Sequence, residues 1–355
     1  MATLVLFAVD LPCRAGNSKT AISSSDASDH VDFDALPSRK LTFPKMPYGK
    51  FGELSRFFKA GNPEAGDCEY HTFYHTFDHI QAVGTVSIAA KQPTSLTLNS
   101  EASNQLGALL DFAPNDIQEL IIASPADDEI QLQNLSRLTG LIALHISNTD
   151  VQPPDLSPLK RLVNLRQLAI DLSNLSGDAL KTISNFPKLI ELSLNRTALT
   201  SVNLSPLTRI ANLRSLDLTS IPIKGEQLST LEEISTLRRL ALSYSQLDDT
   251  GWDNIARLSN LHDLKLDHTK IGDRALEKIS SLPLSCLAID STSVTDKCLQ
   301  AIARIKTLKY LNVDHDKISE GALQRFRNRM PKVMISARKV DAKKLYNEYF
   351  GKDSH

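Results

Sequence analysis

The stretch CEYHTFYHTFDHI, residues 68–80, sets His71, His75 and His79 four apart, with Cys68 and Asp78 beside them. Imidazole and thiolate are zinc ligands. On a helix this spacing would put the three rings on one face, within reach of a single ion. The stretch is also rich in Thr, Tyr and Phe, which favour a strand. On a strand the three histidines share a face but spread over roughly 26 Å, too far for one metal. The strand reading is adopted here, so no metal ligand and no cofactor is assigned.

Three further candidates fail on their residue types. LVLFAVDLPCRAGNSKTA, residues 4–21, carries Ser18-Lys19-Thr20 after an apolar run. A phosphate-binding loop needs glycine where Cys13 and Ser18 stand, because the backbone must wrap the phosphate. DHDKISEG, residues 314–321, lacks the acid spacing, the central glycine and the closing glutamate of a calcium loop. His145, His262, His268 and His315 have no recurring acid or nucleophile partner, so a catalytic set is not assembled and no enzyme activity is predicted.

The side chains that remain suit recognition better than reaction. They are Arg239, Tyr244, Asp263, Lys265, Asp267, His268, Asp290, Tyr310, Asn312, Asp314 and His315. Tyr and Arg are common interface anchors. Asp267, Asp290 and Asp314 stand 23 and 24 residues apart, at one position of a recurring phrase. Stacked like charges cost stability. They either bond the neighbouring turn or form an acidic stripe that attracts a basic partner.

The elements that hold these residues follow from that phrase. LDHTKIGDRALEKISSL, residues 266–282, returns as IDSTSVTDKCLQAIARI, residues 289–305. Repeats begin at Leu141, Leu165, Leu189, Leu213, Leu237, Leu261, Leu284 and Leu308, with Ile117 and a degenerate Pro93 before them. Apolar residues at positions 4 and 6 have the period of a strand, and those at 16, 19 and 22 the period of a helix. Neither piece buries its apolar side alone, whereas stacked copies do, with their strands in a parallel sheet. Positions 3, 5, 7 and 8 then face away from the core and carry the eleven candidates. Position 12 supplies N-cap residues such as Ser176, Asp248, Thr295 and Ser319. Position 13 supplies Asp249, Asp273, Asp296 and Glu320, each placed against the positive end of a helix.

This pattern resembles the leucine-rich-repeat family over about residues 93–335. It is closest to the 24-residue bacterial class with T-x-I-T-D-x-x-L, kin to ribonuclease-inhibitor-like and F-box-associated repeats. The resemblance implies an α/β solenoid, a horseshoe with a parallel sheet on the concave face and short helices on the convex face. It also implies non-catalytic protein recognition on the concave face. Position 9 holds Thr149, Thr197, Thr269 and Thr292, with Ser173 and Ser245, where many relatives have asparagine or cysteine; their hydroxyls are expected to bond neighbouring backbone in a ladder. One alternative is a substrate-recruiting subunit of a ubiquitin ligase. Its F-box would begin near Leu36-Pro37, but Pro44 and Pro47 break the helices it requires. Another is an enzyme or metal site in the N-terminal flank.

The flanks divide the chain further. Residues 1–40 are expected to be a disordered leader or signal region, and 41–92 an N-terminal cap. Within the cap, YGKFGELSRFF is read as a helix and GTVSIAA as a strand feeding the solenoid. VMIS, residues 333–336, adds a last strand, and 336–355 hold a polar capping helix and tail. The net charge of −1 gives the whole molecule no pull toward nucleic acid, and the apolar runs are too short for a membrane-spanning helix. Four cysteines at spacings without a CxxC suggest no disulfide framework. The expected partner is a protein, a basic one if the acidic stripe contributes, met by a monomer. The cytoplasm is slightly favoured as location, with export or the cell envelope if residues 1–15 are a signal.

Overall fold

A computed structural model describes residues 33–46, 50–59, 73–123, 131–149, 155–175, 177–199, 202–314 and 317–336. The strands are β1 (Arg39–Thr42), β2 (Gly52–Lys59), β3 (Phe73–Gln81), β4 (Thr85–Ile88), β5 (Thr94–Leu98), β6 (Glu119–Ala123), β7 (Ala143–Thr149), β8 (Gln167–Leu175), β9 (Glu191–Ser193), β10 (Ala198–Leu199), β11 (Ser215–Asp217), β12 (Arg239–Ala241), β13 (Asp263–Lys265), β14 (Cys286–Ile289), β15 (Tyr310–Val313) and β16 (Met334–Ser336). From β5 to β16 the main sheet is parallel and runs in chain order, with β10 pairing beside β8. The fold is therefore a leucine-rich-repeat solenoid: each phrase adds one strand, one turn and one short helical segment.

The repeat beginning at Leu261 shows why the period works. Leu261, Leu264, Leu266, Ile271, Leu276, Ile279 and Leu282 are all buried, and they come from the strand, the turn and the helix Asp273–Ile279 alike. Strand and helix thus enclose one core layer, and the coils before and after close its two ends. The register is exact in steps of one repeat: Leu216, Leu240, Leu264, Leu287 and Leu311 lie side by side across five strands.

The backbone links coils in two recurrent ways. At the start of most strands from β7 to β15 one carbonyl accepts two N–H groups of the next coil, as Arg238 O does from His262 and Asp263. In six coils, those of β8, β9, β11, β12, β13 and β14, the position-8 residue takes a left-handed conformation: Leu172, Arg196, Ser220, Tyr244, His268 and Ser291. Its N–H donates to the carbonyl at position 7 of the next coil, as in Tyr244 to Asp267 and His268 to Asp290. Left-handed backbone is unfavourable for side chains this large, but the turn places that N–H where the sheet ladder continues.

Side chains add a third link. Asp249 accepts the N–H groups of Gly272 and Ala275, Asp273 those of Thr295 N–H and Oγ1, and Asp296 those of Ser319 N–H and Oγ. The position-13 acid therefore caps the helix of the following coil, not only its own. Position 12 contributes a direct side-chain cap at Ser319, which accepts from Ala322 N–H. The position-9 hydroxyls differ from the expected ladder. Thr269 and Thr292 donate to Leu266 O and Ile289 O within their own coils, while Thr197 reaches Ile170 O of the coil before.

Not every coil has an α-helix. Leu106–Asp111, Leu132–Leu135, Ser157–Arg161 and Ser205–Arg209 are 3-10 segments. In the last two, Pro158 and Pro206 sit in the first turn, where a missing N–H costs nothing, and a single tight turn spans the coil.

The N-terminal flank departs most from its sequence reading. YGKFGELSRFF does not form a helix: Gly52–Lys59 is the strand β2, antiparallel to both β5 and β3. The first parallel strand would otherwise end the sheet with unpaired N–H and C=O groups, and their pairing outweighs local helical preference. Gly52 is required there, because a Cβ would lie 2.2 Å from Thr97 O. GTVSIAA does hold a strand, β4, but it pairs with β1 in a separate two-stranded sheet and does not feed the solenoid. Leu41, Phe43, Met46, Phe51 and Leu54 are buried against the first coil, with the Phe43 ring edge-on to Phe112. Arg39 ties this layer down by donating to Asp116 O, Gln92 O, Thr94 Oγ1 and Gln118 Oε1. At the other end, β16 forms as VMIS predicts and pairs with β15. The expected capping helix at 338–351 lies outside the described residues.

Candidate functional site

The face of the sheet turned away from the helices holds the recognition residues in rows. Position 3 aligns Glu191, Ser215, Arg239, Asp263, Cys286 and Tyr310. Position 5 aligns Asp217, Ala241, Lys265, Ala288 and Asn312. Because the strands are parallel and in register, residues 24 apart in sequence become immediate neighbours, roughly 4.8 Å apart. Of the eleven candidates, all but His315 belong to this grid or to the turn just beyond it; His315 lies outside the described residues.

Exposure differs along the rows. Tyr244 is 54% exposed and His268 is exposed, while Lys265, Asp267, Asp290, Tyr310, Asn312 and Asp314 are half-buried. Asp263 is 5% exposed, and neither carboxylate oxygen meets a hydrogen-bond partner. Burial pushes its pKa up to about 6, against the opposing pull of Lys265 and Arg239. Burial likewise pulls the Lys265 ammonium down and pushes the Asp267 carboxyl up.

Arg239 is engaged within the protein. Its guanidinium reaches back over the small Ser215 to Glu191 at 2.5 Å, and its Nε donates to Ser215 Oγ. Gln167 Nε2 donates to the other oxygen of Glu191, so one polar chain runs across β8, β9, β11 and β12. Sequence reasoning missed Glu191 and Gln167. The signal was present, a glutamate and an arginine at position 3 two coils apart with only serine between them.

Two of the three stripe aspartates, Asp267 and Asp290, differ in what they bond. Asp267 accepts the N–H of Asp290 at 2.8 Å and lies 3.3 Å from the Asn312 amide, so it joins three coils. Asp171, at the same position upstream, accepts from Asn195 N–H and Ser193 Oγ in the same manner. Bonding to the next turn is therefore one function of an acid at position 7. Asp290 Oδ1 is sealed from solvent without a partner.

Tyr244 and His268 occupy position 8 of adjacent coils. Their rings stack with centroids 4.2 Å apart and 16° between planes. The left-handed turn carries both outward beyond the strand ends.

The other candidates are not brought together. His75 and His79 lie on β3, roughly 13 Å apart along an extended strand; Cys68 and His71 lie outside the described residues, as does the Ser18-Lys19-Thr20 segment. The region proposed for an F-box forms strands β1 and β2 instead of helices. Cys298 is a free thiol, so no 286–298 bridge exists. Cys286 is disulfide-bonded, against the expectation from the spacings. Among the described residues no helix is long and apolar enough to cross a membrane.

No family model matches the chain, and no curated protein matches it. Among solved structures, it is similar to an internalin (inlF) of Listeria monocytogenes, 19% identical with a TM-score of 0.48, over 66% of this chain and 70% of that one. It is also similar to internalin C2 (inlC2) of the same organism, 22% identical with a TM-score of 0.39, over 59% and 86%. The assignment of the fold rests on the strand register itself, which stacks one 24-residue phrase on the next without a change of sheet order.

Proposed function

We propose that this protein is a non-catalytic recognition module that binds a protein partner on the concave, helix-free face of its C-terminal coils. The carrying observation is the in-register array on β12 to β15, where Lys265, Tyr310, Asn312 and the turn residues Tyr244, Asp267, His268, Asp290 and Asp314 lie on neighbouring coils, with Cys286 and Ala288 between them on β14. The coils at β8 and β9 present Ala169 and Ser193 at the corresponding positions. A parallel sheet of this kind offers a rigid grid whose side chains lose little freedom on binding. Acids outnumber bases among the turn residues, which favours a basic partner and an association that weakens with salt.

Affinity capture from native lysate, with and without the Tyr310→Ala/Asp314→Ala pair of substitutions, tests the reading. The double variant should weaken capture by about 1–2 kcal/mol or more. Its melting temperature should stay close to that of the parent. Undiminished capture of the same partners would move the binding surface to the helices or to the N-terminal flank.

A further inference from the structure

Resting on that reading of the concave face, we propose that the stacked Tyr244–His268 pair is the seat for a guanidinium group of the partner, an arginine side chain laid against the aromatic stack. Three observations converge on it. The first is exposure: Tyr244 is among the few large apolar or aromatic side chains of the described residues left more than half open to solvent. An exposed aromatic on a rigid turn offers contact area without an ordering cost, since its position is already fixed.

The second is the way the pair is held. Both residues sit in left-handed backbone, φ 59° and 56°, at the same position of successive coils. Their N–H groups are tied to Asp267 O and Asp290 O, each at 2.8 Å. The coil spacing therefore sets the two side chains side by side, within stacking distance of each other. The other left-handed position-8 residues among those described are Leu172, Arg196, Ser220 and Ser291, none of them aromatic.

The third is charge. Asp267 precedes His268 in the chain and Asp290 precedes Ser291, and both carboxylates exert their charge on the Tyr244 hydroxyl. Arg196, two coils upstream, is the single cation that does so. Two acids beside an electron-rich ring favour a cation, and a flat guanidinium both stacks on such a ring and donates sideways to carboxylates. A lysine ammonium lacks the plane that matches the rings. An acidic partner side chain would meet the like charge of the two carboxylates.

The test uses the purified full-length chain and defined peptides, acetyl-hexaarginine amide, hexalysine and hexaglutamate, with binding read by fluorescence anisotropy at low and at 300 mM salt. Hexaarginine should bind more tightly than hexalysine, hexaglutamate should not bind, and added salt should weaken the complex. Tyr244→Ala and His268→Ala should each weaken hexaarginine at least about fivefold. Tyr244→Phe, which keeps the ring, should bind like the parent. Circular dichroism should show Tyr244→Ala folded, because that side chain lies outside the core. Equal affinity of Tyr244→Ala and parent for hexaarginine, or equal affinity of the parent for hexalysine and hexaarginine, would overturn the proposal. If Tyr244→Ala keeps peptide binding while the Tyr310→Ala/Asp314→Ala variant loses its captured partner, the guanidinium seat fails and the concave-face reading stands. The reverse outcome preserves the seat and removes the wider surface.

Discussion

At the scale of single residues, the open face carries a cost that the core does not. The Asp263 carboxylate is buried without a hydrogen-bond partner, and Arg239 beside it is committed to Glu191. Its folded pKa of about 6 lies above the roughly 3.9 of an unfolded aspartate. The stabilising contribution is therefore full below about pH 4, where both states are protonated, and is lost as pH rises through 6. Asp263→Asn should raise the melting temperature at pH 8, by as much as about 2–3 kcal/mol in stability, and change little at pH 4. Parallel pH profiles for variant and parent would mean that the carboxylate finds a partner in solution. Leu264 shows the opposite economy. It is fully buried at the centre of its coil, and Leu264→Ala should cost about 2–5 kcal/mol in urea denaturation. Cys298 is buried with its pKa pushed up to about 12, first by desolvation and then by Asp273 and Asp296. It should resist thiol reagents in the native state and react once the chain is unfolded; rapid native labelling would contradict its place on the helix side of the core.

At the scale of elements, the links between coils carry the architecture. The helices are short, several no longer than five residues, and helices of that length do not persist alone. Asp249, Asp273 and Asp296 each cap the turn of the next coil, so each ties a helix start to its neighbour. Asp273→Ala should destabilise by about 1 kcal/mol, the ordinary value of a lost cap. Hydrogen exchange should quicken first at Thr295 in the following coil. Exchange confined to the helix of Asp273 itself would show that the acid serves only its own dipole. The N-terminal elements obey the same logic. Gly52→Val would drive a side chain into Thr97 O and should release β2 from β5, seen as lost protection in both strands.

At the scale of the whole molecule, one core cluster runs from Leu41 to Phe326 without a break. Each layer is shared by two coils, so stability is a sum of neighbour interfaces and adjacent coils unfold together. Limited proteolysis should spare 141–332 under native conditions, and rapid cutting there would show that the coils are independent. The described flank, 39–46 and 50–59, belongs to this continuity, since it closes the first layer and continues the sheet edge. Its removal should lower the stability of the nearest coils most.

Sequence alone determined the repeat, its register and the identity of the core, because a 24-residue period in leucine leaves one way to bury both a strand and a helix. Leu261, Leu264 and Leu287 occupy the places their spacing requires. It also determined which residues line the strand face, since a parallel stack turns equal sequence positions into rows. The tertiary structure decided what those residues do. Arg239 bonds Glu191 two coils away, Asp263 is left buried and unpaired, and Tyr244 stacks on His268. These outcomes depend on side-chain reach between coils and on the left-handed turn at position 8, neither of which a one-dimensional period encodes. The flank was misread for a related reason. YGKFGELSRFF has a local pattern compatible with a helix, but the unpaired edge of β5 offers its backbone a full set of hydrogen bonds, and that edge exists only once the solenoid has formed.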